Sequence, residues 1–155
     1  MSETVIQVTS LGKRIKGKTI LEDISFEINK GDCVALIGPN GAGKTVLMSC
    51  ILGDKKPSSG QVLIDGKAGK AKNKIAVLLQ ENTIPNSLKV EELIAFFQSI
   101  SDNPLTNQEV QDLLQFKEDQ YQQFADKLSG GQRRLLAFVL CLIDKPKILF
   151  VLYSW

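Results

Sequence analysis

Lys44 and Thr45 close the run Gly38-Pro39-Asn40-Gly41-Ala42-Gly43-Lys44-Thr45, an order of residue types suited to gripping a phosphate chain. Glycines without Cβ let the backbone wrap the phosphates while successive N–H groups turn inward as an anion nest. Lys44 would reach the β- and γ-phosphates as a point charge, and the Thr45 hydroxyl would take one place on Mg²⁺. The apolar run from Cys33 to Ile37 predicts a strand leading into this turn. Val46, Leu47, Met48, Ile51 and Leu52 predict a helix leaving it, with Gly53 where that helix stops. Strand, glycine turn and helix form the context such a motif needs, because the helix start adds the positive end of its dipole. The bland alternative is a tight glycine turn without a ligand, and the flanking elements weigh against it.

A second set of residues could do similar work. Leu128-Ser129-Gly130-Gly131-Gln132, followed by Arg133 and Arg134, opens a helix predicted from about Gly130 to Asp144. Ser129 caps its start, so the hydroxyl and the glycine N–H groups make another anion site. Alone this is an ordinary N-cap. Beside the first motif, and with Gln80 closing a predicted strand at Lys74–Leu79, it resembles the signature motif of ATP-binding cassette (ABC) ATPases.

The resemblance covers essentially the whole chain, and Ser87 to Leu93 is also similar to the family's segment after that glutamine. It implies an α/β P-loop NTPase (RecA-like) core with an N-terminal antiparallel β-subdomain and a small helical insertion. The core would take about 1–82 and 128–155, and the helical part about 83–127. It implies ATP and Mg²⁺ as cofactors, held by Gly38, Pro39, Asn40, Gly41, Ala42, Gly43, Lys44 and Thr45. Gln80 would help sense the metal and a membrane partner. Two cassettes would pack head to tail, with Leu128, Ser129, Gly130, Gly131 and Gln132 of one closing over the γ-phosphate held by the other. The implied partners are therefore a second cassette, identical or not, and a transmembrane permease subunit. The cassette would be cytoplasmic, peripheral at the inner face of the membrane. In style it is similar to single-domain bacterial cassettes serving separate membrane subunits, and export is the expected direction.

Three departures from that pattern shape the expectations. Ile15 stands about where the family places an aromatic ring on adenine, a loss of about 1 kcal/mol of stacking. Leu152 and Tyr153 stand where the family has an aspartate for Mg²⁺ and a glutamate that polarises the attacking water. A general base contributes about 10²–10⁴-fold in rate, which neither side chain can supply. The later switch histidine has no counterpart, since the chain holds no histidine. A family strand lying between the one before the P-loop and the one at Lys147–Leu152 is missing too, which would leave backbone and apolar surface unpaired. The expectation is a cassette truncated at its C-terminus, binding ATP weakly and hydrolysing it very slowly. The alternative is a non-hydrolytic module that pairs with an intact cassette and donates only its signature.

Composition bounds these readings. The chain has 155 residues, a net charge of +2 and 43% hydrophobic residues, which suits one globular domain. Near-neutral charge gives no electrostatic case for a nucleic-acid partner. Lys67, Lys70, Lys72 and Lys74 read as the solvated turn of a hairpin. Cys33, Cys50 and Cys141 sit in apolar sequence with no close pair, so buried free thiols and a reducing compartment are expected, and zinc is not. No signal peptide is expected, and the longest apolar stretch, Leu135 to Ile143, is too short to cross a bilayer.

The remaining elements follow from periodicity. Val5 and Val8, then Ile24, Phe26 and Ile28 alternating with polar residues, predict an antiparallel sheet. A strand is predicted at Gln61–Asp65 after a Ser58-Ser59-Gly60 turn, and a buried strand at Lys147–Leu152 after Pro146. Val90, Leu93, Ile94, Phe97 and Ile100 have helical spacing. Thr106 and Glu109 form a capping box for a helix reaching about Phe116.

Overall fold

The computed structural model describes residues 2–68, 75–79 and 84–152, which gather into two compact units divided between Lys72 and Asn73. The first unit is built on β1 (Thr4–Ile15) and β2 (Lys18–Asn29), a long antiparallel hairpin turning at Lys16 and Gly17. β3 (Ser59–Ile64) joins the other edge of β1 antiparallel, and β4 (Lys67–Ala68) closes a four-stranded sheet of order β2-β1-β3-β4. Period-2 patterning decides its faces: Ile6, Val8, Leu21 and Ile64 are buried, and Ile24, Phe26 and Ile28 are half-buried between exposed polar neighbours. A hairpin turns at Asp65–Gly66, ahead of the predicted basic turn, so that Lys67 lies in β4 opposite Ile64, and Lys70, Lys72 and Lys74 lie outside the described residues. Helix α1 (Lys44–Ile51) lies against β2 and buries Leu47, Cys50 and Ile51. It ends where the sequence places its stop, with Gly53 at φ 79° donating to the Cys50 carbonyl.

The segment Cys33–Ile37 departs from expectation. None of its residues lies in a strand, and Val34, Leu36 and Ile37 are exposed at 60%, 47% and 89%. Cys33 is exposed as well, against the prediction of burial. The physical reason is pairing: an extended run is held only when neighbouring strands take its N–H and C=O groups, and no described strand does so.

The second unit holds the helices. β5 (Ile75–Leu78) and β6 (Ile148–Val151) pair in parallel, with Leu78 opposite Val151. α2 (Val90–Ser99), α3 (Asn107–Leu114), a short α4 (Glu118–Tyr121) and a 3₁₀ turn at Ala125–Lys127 lead to α5 (Gly130–Leu142). α4 and the 3₁₀ turn have no strong signal in the sequence, being too short to show a period. The capping box at Thr106 forms as predicted: its hydroxyl accepts from the Glu109 N–H at 3.2 Å, and Glu109 accepts from the Thr106 N–H at 2.8 Å. One core cluster joins α2 (Val90, Leu93, Ile94), α3 (Val110, Leu114) and α5 (Leu136, Ala137, Val139, Leu140) to Leu78, Ile84 and Leu128. Burying a leucine or isoleucine contributes about 1.5–3 kcal/mol, so this cluster is what holds the second motif in place. α5 is buried along one side rather than all round, with Leu135 36% exposed.

Candidate nucleotide site

Residues 38–45 enter α1 through glycine geometry. Gly41 and Gly43 have φ of 83° and 92°, a left-handed backbone that L side chains rarely adopt. At Gly43 a Cβ would also lie 2.9 Å from Leu21 Cδ2 and 3.2 Å from the Ile20 carbonyl, so the loop rests on β2 only because nothing projects there. Gly43 is the N-cap of α1 and offers no side chain to the helix's first amides, and no acidic residue lies in the first turn. The positive end of α1 is therefore uncompensated by the chain itself. Lys44 adds a further positive charge beside it and folds back, donating to the Gly38 carbonyl and, at 2.8 Å, to the Pro39 carbonyl. Ala42 N–H donates to the Pro39 carbonyl at 3.2 Å, which tightens the turn. Thr45 is exposed at the helix start and Ile15 is half-buried at the end of β1.

The second motif is organised differently. Ser129 Oγ accepts from the Gln132 N–H at 3.2 Å, and Gln132 Oε1 accepts from the Ser129 N–H at 3.0 Å, a full capping box. Gly130 and Gly131 are exposed, with nothing within 4 Å of where a Cβ would stand. α5 also carries no acid in its first turn. By contrast, the first turn of α2 has Glu91 and Glu92, that of α3 has Glu109, and that of α4 has Glu118 and Asp119. Among the described α-helices only the two opened by the glycine motifs lack a first-turn acid, α5 with a neutral cap and α1 with none.

Gln80 and Tyr153 lie outside the described residues. Leu152 follows β6, half-buried, and its N–H donates to the Leu78 carbonyl at 2.9 Å. The parallel register thus puts the ends of β5 and β6 side by side, the end at which open parallel sheets bind ligands. Leu152 brings no carboxylate there. No cluster of three or more metal-ligating side chains exists among the described residues. The donor set accordingly fits the phosphates of a nucleotide well. For Mg²⁺ it offers the Thr45 hydroxyl, with the nucleotide's own oxygens left to supply the rest.

An α/β chain with a glycine-walled turn on an uncapped helix start is a P-loop nucleoside triphosphatase fold. The profile of the ABC transporter family matches residues 21–151, and the chain belongs to that family. Among curated relatives it is 35% identical to the methionine import ATP-binding protein MetN of Legionella pneumophila over 94% of this chain and 46% of that one. It is 33% identical to the spermidine/putrescine import ATP-binding protein PotA of Protochlamydia amoebophila, over 91% of this chain and 40% of that protein. The chain thus spans about half the length of these relatives. CbiO1 of Clostridium perfringens, part of the ABC transporter complex CbiONQ, shares the fold at a TM-score of 0.81 and 24% identity, over 96% of this chain and 65% of that one. The expectation of export finds no support: these curated relatives are named for import.

Proposed function

We propose that this chain is the ATP-binding part of an ABC importer, working at the cytoplasmic face of a membrane through a separate permease subunit. Gly38 to Thr45 bind the triphosphate and its Mg²⁺, with Lys44 exchanging its loop carbonyls for phosphate oxygens. Ile15 packs against the base. Gln80 links metal to permease, and Leu128 to Gln132 complete the site of a second cassette. In this reading 1–82 and 128–155 serve as the α/β core and 83–127 as the helical part. The relatives' names range over methionine and polyamines, so the cargo class is left at small solutes carried inward. The observation that carries the reading is that, among the described α-helices, the two opened by the glycine motifs alone lack first-turn acids.

One observation favours a second reading, binding without turnover. Leu152 occupies the place of the family's magnesium-supporting aspartate, and hydrolysis needs metal and base together. Titration of the purified chain with MgATP tests the first step. Saturable uptake that Lys44→Ala abolishes supports nucleotide binding, and no uptake by the unsubstituted chain sinks it. Phosphate release at the rate of a complete cassette, sensitive to Lys44→Ala, would remove the binding-only reading.

A further inference from the structure

The loop beyond Gln80 is fastened to the signature turn at more than one point, all within the second unit. Val90 N–H donates to the Gln123 carbonyl at 3.0 Å, and Ala125 N–H donates to the Leu88 carbonyl at 3.0 Å. Lys89 and Phe124 form an antiparallel bridge between those bonds. The 84–90 loop thus lies strand-like beside the stretch that delivers Leu128 and Ser129. Ile84 and Leu128 are then buried in one core cluster, at 7% and 6% exposure. A last contact reaches past the turn: Arg133 Nη2 donates to Asn86 Oδ1 at 3.0 Å, across 47 residues of sequence. Arg133 is the residue directly after the signature, in the first turn of α5.

We propose that Asn86 and Arg133 are a positioning pair that sets the orientation of the signature turn from the loop after Gln80. The backbone bonds fix where the turn begins, at Gln123 to Ala125. The core cluster holds the body of α5 from Leu136 onward, whereas in its first turn Gly130 and Gly131 carry no side chain and Ser129 and Gln132 are engaged with each other. The Asn86 contact supplies a constraint on the far side of the glycines. Movement of the 84–90 loop would then be passed to the anion-binding amides through a guanidinium–amide bond. Such a bond is directional, and its loss releases the helix start rather than the whole unit. The function assigned to the pair rests on the signature acting in trans, whereas the mechanical linkage does not.

Two measurements on the full chain separate these. The first is amide hydrogen exchange with Asn86→Ala, Arg133→Ala and the double variant. Each single variant is expected to speed exchange at Gln132 and Arg133 by about 3–10-fold, the double variant no further, and the α3 amides not at all. Asn86→Asp, which keeps an acceptor facing Arg133, should restore protection. Unchanged exchange in both single variants, or fully additive effects, would overturn the linkage. The second is nucleotide-dependent pairing with a complete cassette, in a non-hydrolysable ATP analogue. Asn86→Ala should weaken pairing several-fold while leaving the chain's own nucleotide affinity unchanged, and Asn86→Asp should recover it. Equal pairing in all variants would overturn the positioning role. If the unsubstituted chain does not pair at all, the in-trans function is lost and the exchange result alone decides the linkage.

Discussion

The two glycine turns proposed to bind phosphate are built in opposite ways. At Gly43 the helix start is left bare: no side chain caps it, and the lysine beside it settles on the loop's own carbonyls. At Ser129 the start is fully capped, and the elements behind it form a continuous apolar core. What precedes each turn differs just as much. Cys33 to Ile37 run exposed into the first, whereas Leu128 enters the second 6% exposed. A bare loop on a loosely held lead-in is easily reshaped by a ligand. A capped turn on a packed core is a surface to which a ligand is brought. In the proposed reading the first turn would need phosphate to complete it, whereas the second already holds its shape without a ligand.

The largest expected effect tests the packing half of that contrast. Leu136 is fully buried at 0% exposure and joins α5 to α2 and α3, so Leu136→Ala should cost about 2–5 kcal/mol. Ile37→Ala removes a side chain that is 89% exposed, and should change stability by no more than about 0.5 kcal/mol. Urea unfolding followed by circular dichroism measures both. Similar losses for the two variants would mean that the lead-in segment is packed after all. Exposed apolar runs without charge also invite strand pairing between chains, so Ile37→Lys should reduce aggregation on concentration, read by light scattering.

Next in size is the division of labour between the turns. Gly43→Ala combines a positive φ with a contact under 3 Å to Leu21, and should lower nucleotide affinity by at least about 10-fold. Ser129→Ala should leave the chain's own nucleotide affinity unchanged if its turn serves another cassette, as proposed. It should instead destabilise α5 by about 1 kcal/mol through the lost cap. Calorimetric titration with MgATP against both variants sharpens the comparison. A matching loss of affinity in Ser129→Ala would show the two turns acting on one nucleotide in one chain.

Much of this was legible in the sequence, and the exceptions are instructive. α1, α2, α3 and α5 were readable because each carries its apolar positions within one segment, with a capping signal as well at Thr106 and Ser129. The antiparallel hairpin was readable from alternation at Ile24, Phe26 and Ile28. Cys33 to Ile37 misled because a five-residue apolar run states a preference for burial but not whether a neighbour exists to provide it. The Asn86–Arg133 contact was invisible for a related reason, since nothing local in either residue names a partner 47 positions away. The candidate site follows the same division: the glycine geometry and Ser129 cap were local facts, and the inward fold of Lys44 was not.

The thiols give a smaller and more local probe of the same two regions. Cys33 is exposed beside the first turn, whereas Cys141 is half-buried in α5 and donates weakly to the Val77 carbonyl at 3.9 Å. Burial pushes the Cys141 thiol above its ordinary value, and burial does the same to Cys50, with Lys13 and Lys55 opposing it. Less thiolate and less access both slow alkylation. At pH 8 one thiol, Cys33, should react about 10-fold or more faster than the other two, read by mass spectrometry of iodoacetamide adducts. Comparable rates for Cys33 and Cys141 would mean that α5 opens as readily as the lead-in segment.

The smallest effect is set by Glu109, whose carboxylate is held below its usual range first by the Thr106 backbone N–H and then by the Thr106 hydroxyl. A lowered folded-state value means the charged form is favoured by folding. The contribution is therefore fully present above the unfolded value of about 4.3 and fades as pH falls below it, through the folded value. Glu109→Gln keeps an acceptor for the cap but removes the charge that favours α3's N-terminal dipole. As pH falls through the folded value the variant and the unsubstituted chain should converge on the same unfolding urea concentration, and at pH 7 the variant should unfold slightly earlier. Because the carboxylate is fully exposed, added salt should shrink the pH 7 gap. The α5 cap, which carries no ionisable group, should show no such dependence on pH or salt. A pH-dependent loss of protection at Gln132 would mean instead that the signature turn leans on a titrating neighbour.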